Sequence, residues 1–322
     1  MNSHLISVII PTRNRSVSLS DTIESIFQNN FSLRQFEVLV IDNGSTDDTK
    51  IKCLAFEKKY SNLKYFYEEK NGLHYGRHKG LMESKGEILI YIDDDVIVSQ
   101  NWLMSYLETF KKDSKIVLAG GNDLPRFEGE VPEWVDSLWK QNQYGKYLSE
   151  YSLIEFNIPA QEIPPQYIYG CNFAVRKEFL LLCKGFHPDG FSKENILRRG
   201  DGETFVSNQV SNLKFKSYFH PDAYVYHRIP SERLTQDYMK SRYFSQGVTF
   251  SYVNLRKKTR LSFINYVLMM LNYRICRIRA SLIRTLLFRK LNLAFYDGAI
   301  MHLKAYNRDQ SLQEWVHKES YL

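Results

Sequence analysis

Along the first 120 residues of this 322-residue chain, short unbroken apolar runs alternate with stretches of helical spacing. Ser7 to Pro11, Phe36 to Ile41 and Glu87 to Ile92 have the length and β-branched character of strands buried on both faces. Leu63 to Tyr67 and Ile116 to Ala119 read as two shorter strands. Between the first two runs, Leu19, Ile23, Ile26 and Phe27 recur at helical spacing. Further helices are predicted from near Asp47 to about Tyr60, from Tyr75 to Lys85 before Gly86, and from about Trp102 to Lys111. Strands alternating with helices, with no hairpin turn between them, predict βαβ units and a largely parallel sheet. Neither a G-x-G-x-x-G nor a G-x-x-x-x-G-K-[ST] run is present, so the dinucleotide and P-loop fingerprints do not apply.

The pattern loosens after residue 120. Five of the nine prolines fall between Pro125 and Pro165, with Trp134 and Trp139 among them, and this stretch reads as a long functional loop or insert. Strand character resumes from Tyr167 to Arg176. A short helix is predicted from Thr204 to Val210, and another strand within Tyr218 to His227. After Pro230 the chain reads as mainly helical.

Composition refines this picture. At 43% hydrophobic the chain buries a full core, and its length fits one large domain, or one domain with an appendage. The net charge of +7 is uneven: from Ser231 onward there are sixteen Lys/Arg against six Asp/Glu, a local +10 that leaves −3 for the rest. No acidic residue lies between Tyr238 and Tyr296, which points to two functional zones. Cys53, Cys171, Cys183 and Cys276 have spacings that suit neither a zinc site nor a disulfide framework, so a reducing, cytoplasmic setting is expected. The start of the chain lacks a basic n-region, and its first apolar run is too short for a signal-peptide core. The longest candidate for a membrane span, Phe263 to Phe288, is broken by Arg274, Arg277, Arg279 and Arg284.

The richest chemical signal ends the run Ile88-Leu89-Ile90-Tyr91-Ile92 with Asp93-Asp94-Asp95. Adjacent carboxylates at a sheet edge raise one another's pKa, and desolvation adds to the cost. A divalent cation relieves it: hard oxygen ligands suit Mg²⁺ or Mn²⁺, and such ions commonly bridge to phosphates. A solvated acidic turn is the plainer alternative. Position favours the cation, because open parallel sheets bind ligands at the ends of their strands.

Five motifs in order resemble the family 2 glycosyltransferases, which have the GT-A fold. They are Val8-Ile9-Ile10-Pro11-Thr12-Arg13-Asn14; Val40-Ile41-Asp42-Asn43-Gly44-Ser45-Thr46-Asp47; Asn71-Gly72 with Arg77, Gly80 and Lys85-Gly86-Glu87; Asp93-Asp94-Asp95; and Gly170 to Arg176. The resemblance spans roughly Ser7 to His227. It implies a GT-A α/β catalytic domain over 1–230, with a nucleotide-binding half (1–120) and an acceptor half (121–230), followed by a helical basic extension over 231–322. It also implies roles. Pro11, Thr12 and Arg13 would line the donor site, Asp42 would bind the base, and Arg77 would lie near the base or diphosphate. Asp93 would face the ribose and Asp95 would hold the metal. Asp94 fills the motif's variable position, but three adjacent carboxylates leave the register open by one, and it is counted with the donor-binding residues. His227, after the strand at Tyr218 to Tyr226, would be an extra metal or phosphate ligand. Asn172 and Arg176 would shape the sugar or acceptor side, and Trp134 and Trp139 would stack on a sugar face.

The family places its general base in a Glu-Asp pair at a helix start. Here the stretch is Arg199-Gly200-Asp201-Gly202-Glu203, with Gly200 where the Glu usually stands. Asp201 is the best-aligned base and Glu203 the second. Asp201 also suits a helix N-cap, and the two uses are compatible. The implied reaction is metal-dependent, inverting transfer of a sugar from a nucleotide-diphosphate donor to a hydroxyl of a saccharide or lipid-linked saccharide. A UDP-sugar is the favoured donor and Mg²⁺ or Mn²⁺ the cofactor.

Past Pro230, Arg256-Lys257-Lys258-Thr259-Arg260 precedes the apolar stretch Leu261 to Leu271. Arg274, Arg277 and Arg284 then interleave with Leu282, Ile283, Leu286, Leu287 and Phe288. This suggests an interfacial surface on an anionic membrane, on the cytoplasmic face. Packing on the catalytic domain and an oligomer interface are the competing readings. No nucleic-acid module is recognisable, and no nucleic-acid partner is expected. Two alternatives to the enzyme are a nucleotide-sugar-binding membrane scaffold without catalysis, opened by Gly200, and a nucleotidyltransferase. The latter is disfavoured because Pro11-Thr12-Arg13-Asn14 lacks a Gly-rich, Lys-containing loop.

Overall fold

The structure, a computed structural model, describes residues 5–257, 266–274 and 286–322. Two compact units emerge. The first runs to Phe186 and takes in Glu203–Ile229; the second joins His187–Gly202 to Pro230–Tyr321.

The first unit is built on β1 (Ile6–Thr12), β2 (Phe36–Asp42), β3 (Leu63–Tyr67) and β4 (Ile88–Ile92), all parallel, in the order β4-β1-β2-β3. Every residue of β1, β2 and β4 is buried, as their unbroken apolar runs require. Helices cover both faces. On one, α1 (Ser16–Phe27) contributes Leu19, Ile23 and Ile26, and α4 (Trp102–Lys112) contributes Trp102, Tyr106 and Phe110. On the other, α3 (Leu73–Glu83) buries Leu81, α6 (Lys177–Leu182) buries Phe179 and Leu180, and α7 (Gly202–Asn212) buries Val206 and Val210. Each such side chain contributes about 1.5–3 kcal/mol on burial. α3 lies so close to β1 that a Cβ on Gly80 would sit 2.3 Å from the Ile9 side chain.

Beyond β4 the sheet is mixed, which the absence of hairpins did not predict. β12 (Asn172–Arg176) is antiparallel to both β4 and β6 (Ile116–Gly120), while β13 (Lys216–Phe219) is parallel to β6. The residues read as a loop or insert between Pro125 and Pro165 carry several short strands. β7 (Asp123–Phe127), β8 (Lys140–Gln141), β9 (Gly145–Leu148) and β10 (Leu153–Phe156) form a second sheet with β5 (Val96–Val98) and β14 (Val225–Ile229), in the order β5-β14-β7-β10-β9-β8. These strands are two to five residues long, too short for alternation to register in sequence. Pro125 sits in β7, and the other prolines of this stretch lie outside its strands.

In the second unit, α8 (Gln236–Lys257) and α10 (Leu286–Tyr306) cross at two glycines. A Cβ on Gly247 would lie 1.9 Å from the Phe295 carbonyl oxygen, and one on Gly298 would lie 2.1 Å from that of Phe244. Only a bare Cα allows the backbones to approach this closely. At the crossing Ser251 meets His302 Nδ1 (2.8 Å) and the Tyr266 hydroxyl (2.8 Å), and burial pushes His302 down to about 4. Asp309 caps α11 (Gln310–His317) by accepting the backbone N–H groups of Ser311 and Leu312. Among the described residues, no helix is long and apolar enough to cross a membrane. Lys258, Thr259, Arg260, Leu261, Arg277, Arg279, Leu282, Ile283 and Arg284 lie outside the described residues.

Candidate active site

The parallel strands converge on one edge. Thr12, the last residue of β1, pairs with Asp42, the last of β2, and β4 flanks β1 on the other side with Ile9 opposite Tyr91. The order of strands reverses between β1 and β4, which is where open α/β sheets bind ligands. At this point the chain leaves the main sheet, turns through Asp93-Asp94-Asp95 and enters β5 of the second sheet. β14 pairs with β5, placing His227 opposite Val96, and the Arg228 N–H donates to the Asp95 carbonyl at 2.9 Å. Asp93, Asp95 and His227 thereby bring one ligand atom each within 4.8 Å of one another.

This cluster is short of positive charge. Burial, with Asp95 alongside, pushes the Asp93 carboxyl above its ordinary range; burial pushes Asp94 up to about 6, opposed by Arg15. Asp94 accepts the Thr12 hydroxyl (2.6 Å), and Arg15 Nη1 donates to both Asp94 Oδ1 (2.9 Å) and Asp95 Oδ2 (2.8 Å). His227 is buried, with Nε2 3.4 Å from Asp95 Oδ1, and among the described residues neither ring nitrogen has a hydrogen-bond partner. An orphaned buried imidazole beside two carboxylates is costly without a ligand. Two oxygens and an imidazole nitrogen fit Mn²⁺ or Mg²⁺, with Mn²⁺ the more tolerant of the nitrogen.

On the β2 side, Asp42 is buried with each oxygen held once: Oδ1 accepts the Ser45 N–H (2.8 Å) and Oδ2 the Tyr65 hydroxyl (2.8 Å). Each oxygen retains a second lone-pair direction for a ring N–H. Asn43 fastens the neighbouring turn by donating to Glu68 and Lys70 and accepting from Gly72. Pro11 is buried and Arg13 exposed. Arg77 is buried on α3, where Nη1 pairs with Glu203 Oε2 at 3.0 Å and the guanidinium lies 5.2 Å over the Phe186 ring. Gly170 makes room for this pair: a Cβ there would come within 2.6 Å of Arg77 Nη2 and 2.9 Å of Glu203 Oε1.

Asp201 belongs to the second unit. Its Oδ1 lies 2.6 Å from His187 Nδ1, and both side chains are buried. Burial pushes His187 below its ordinary value despite the pull of Asp201, so at neutral pH an uncharged ring donates from Nδ1 to the carboxylate. The departure at Gly200 has a steric cause in the same unit. A Cβ there would stand 2.8 Å from the Tyr252 ring, which leaves no space for a glutamate.

The four residues expected on the sugar or acceptor side lie as follows. Asn172 is consumed by structure: Oδ1 accepts from Trp102 Nε1 (2.9 Å) and the Tyr106 hydroxyl (2.5 Å), and Nδ2 donates to the Ala223 carbonyl (2.9 Å). Arg176 pairs in register with Ile88, at the opposite end of β4, and donates to the Ile116 and Phe110 carbonyls. Trp139 precedes edge strand β8, four strands from β14, with Lys146 Nζ 4.5 Å over its ring. Trp134 is half-buried in α5 (Glu133–Asp136). Conversely, sequence reasoning passed over Arg15, Tyr65 and His187. Arg15 directly follows the Thr12-Arg13-Asn14 run, which was a signal of position but not of direction. His187 is 14 residues before Asp201 and carries no spacing signal.

Residues 7–180 match the profile of the family described as Glycosyl transferase family 2. Glycosyltransferase AglE of Haloferax volcanii is 34% identical over 118 residues, which are 36% of this chain and 38% of that protein. The GalNAc(5)-diNAcBac-PP-undecaprenol beta-1,3-glucosyltransferase of Campylobacter jejuni is 28% identical over 196 residues, 60% of this chain and 58% of its own. In both cases the match spans less than two thirds of the relative. The fold is also that of the mannosyltransferase PcManGT from Pyrobaculum calidifontis, solved with GDP-Man and Mn²⁺: TM-score 0.59 at 16% identity, covering 97% of this chain and 84% of that one.

Proposed function

The chain belongs to glycosyl transferase family 2, and from that premise we propose that it is a metal-dependent, inverting transferase. It would move a sugar from a nucleotide-diphosphate donor to a hydroxyl of a saccharide or lipid-linked saccharide. The observation that carries this reading is the Asp93, Asp95 and His227 cluster at the strand-order reversal, with an orphaned imidazole among carboxylates. Asp93, Asp95 and His227 would hold Mg²⁺ or Mn²⁺, which supplies positive charge against the leaving nucleoside diphosphate. Thr12 fixes Asp94, and Asp42 accepts a ring N–H of the base. Arg77 is held by Glu203 beside the donor. Asp201 removes the proton as the acceptor oxygen bonds to the anomeric carbon and the bond from that carbon to the phosphate oxygen breaks. Direct displacement inverts the anomeric centre.

A UDP-sugar is the donor we favour. The solved neighbour with GDP-Man and Mn²⁺ supports the donor class and makes guanine the alternative base. The test is release of UDP or GDP from their sugar conjugates with Mn²⁺ and with excess EDTA, with the product's anomeric configuration read by NMR. Release that is indifferent to EDTA, or a retained configuration, would sink the metal-dependent inverting reading.

The relative named for an undecaprenol-linked saccharide supports a lipid-linked acceptor. Val267, Leu268, Met270 and Leu271 are exposed within a described helical stretch (266–274), as are Leu286 and Met301 of α10. Arg274, Arg289 and Lys290 accompany them in sequence. We read this as a surface for the cytoplasmic face of an anionic membrane. The protein is expected to co-sediment with phosphatidylglycerol vesicles and to detach as salt rises, with Leu268→Glu plus Leu271→Glu weakening capture at least tenfold. Equal capture by purely zwitterionic vesicles, or by the double variant, would refute the assignment.

A further inference from the structure

Arg15 sits where an incoming cation has to act. A single nitrogen of its guanidinium bridges Asp94 Oδ1 and Asp95 Oδ2, and its side chain is 42% exposed while those of its two partners are 6% and 8% exposed. It follows β1 and immediately precedes α1, so it reaches the carboxylates from the solvent side without being packed among them. A structural ion pair in a core is normally enclosed on both sides. This one encloses only the anions.

Asp95 is common to two sets. It faces Arg15 through Oδ2 and His227 through Oδ1, and it belongs to the trio that brings its ligand atoms within 4.8 Å. A divalent ion among Asp93, Asp95 and His227 would therefore stand a few ångströms from a guanidinium bound to the same carboxylate. Two cations sharing one carboxylate repel, and the buried side of the site screens them less than bulk water does. The conflict ends if Arg15 leaves, and a diphosphate offers pairs of charged oxygens that the planar guanidinium fork can bind in a bidentate way.

We propose that Arg15 is the resting counter-ion of Asp94 and Asp95, and that it is handed over to the diphosphate of the donor when metal and nucleotide bind. This rests on the metal-dependent reading above. The consequence is thermodynamic. Metal alone has to displace Arg15 and binds weakly; nucleoside diphosphate gives Arg15 a partner and strengthens metal binding, and by linkage metal strengthens nucleotide binding by the same factor.

The test is calorimetric titration of Mn²⁺ into the full-length protein, alone and with saturating UDP or GDP, for wild type, Arg15→Gln and Arg15→Lys. With Arg15 half exposed, neither substitution opens a cavity, and thermal melting checks the fold. Arg15→Gln is expected to bind Mn²⁺ alone at least tenfold tighter than wild type, to bind nucleotide at least tenfold weaker once Mn²⁺ is saturating, and to lose most of the coupling. Arg15→Lys keeps the charge without the fork and should fall between them. Equal affinity of wild type and Arg15→Gln for Mn²⁺ alone would overturn the proposal and leave the metal reading standing. Tighter Mn²⁺ with unchanged nucleotide affinity would overturn the hand-over. No Mn²⁺ uptake by any of the three, with or without nucleotide, would overturn the metal reading and this proposal with it.

Discussion

Replacing Asp95 with alanine is expected to abolish metal-dependent nucleotide binding and to cut turnover by about a thousandfold or more, since a metal ion contributes several kcal/mol of charge stabilisation and each 1.36 kcal/mol is tenfold in rate. Asp95 links the parts of the acidic turn: Arg15 on Oδ2, His227 beside Oδ1, and membership of the candidate ligand trio. Its backbone carbonyl, which accepts the Arg228 N–H, survives the substitution, so the join between the turn and β14 is retained. Asp95→Asn is the better-controlled variant, because it keeps the volume and one acceptor oxygen while removing the charge. Calorimetry with UDP and GDP, each with and without Mn²⁺, reads the effect directly. If the variant binds nucleotide as tightly as wild type and with the same dependence on Mn²⁺, Asp95 is not a metal ligand.

What made Asp95 legible in sequence was a coincidence of local signals. Ile88 to Ile92 has the length and β-branched character of a buried strand, and three carboxylates at its end favour a counter-charge. The same logic found β1 and β2, whose residues are buried throughout. His227 could be placed by the resemblance alone, because its partnership with the acidic turn runs through a strand pairing 130 residues distant in sequence, between β5 and β14. Such pairings leave no periodic trace. The second sheet escaped notice for the same reason, its strands being short and joined across long separations.

Asn172 and Arg176 are placed by the strand rather than by the motif. Both lie on a strand that a motif points to, yet a strand of five residues spans roughly 16 Å at about 3.3 Å per residue. Asn172 is level with Ile92, next to the acidic turn, and its amide is spent on Trp102, Tyr106 and Ala223. Arg176 is level with Ile88 at the far end. A motif names residues without saying which end of the strand faces the ligand, or whether a polar side chain serves ligand or core. Gly200 is the reverse case. It departs from the family's pattern, and the Tyr252 ring, 2.8 Å from where a Cβ would stand, gives a physical reason for the missing side chain.

Asp201→Asn is expected to lower turnover by about 10²–10⁴-fold, the usual contribution of a general base, with nucleotide affinity changed by less than about threefold. The substitution is nearly isosteric, and the asparagine oxygen can still accept from His187 Nδ1, so the local structure should persist while the proton acceptor is gone. Burial keeps His187 uncharged at neutral pH, so it orients Asp201 without supplying a competing cation. Glu203 is the rival base, and its surroundings argue for a different task. Its Oε2 is committed to the buried Arg77 guanidinium at 3.0 Å, a structural partnership that general-base work would have to give up. Glu203→Gln should therefore register mainly in stability, by about 1.5–3 kcal/mol for a charged hydrogen bond, and in nucleotide affinity through Arg77. The two variants together separate the readings. Turnover lost in Asp201→Asn at unchanged melting temperature assigns the base to Asp201. Turnover lost in Glu203→Gln alone, at unchanged stability, would move it to Glu203. If nucleoside diphosphate release is the same in both variants as in an active wild type, neither carboxylate is the base; if wild type itself releases none, the non-catalytic scaffold becomes the better account of Gly200.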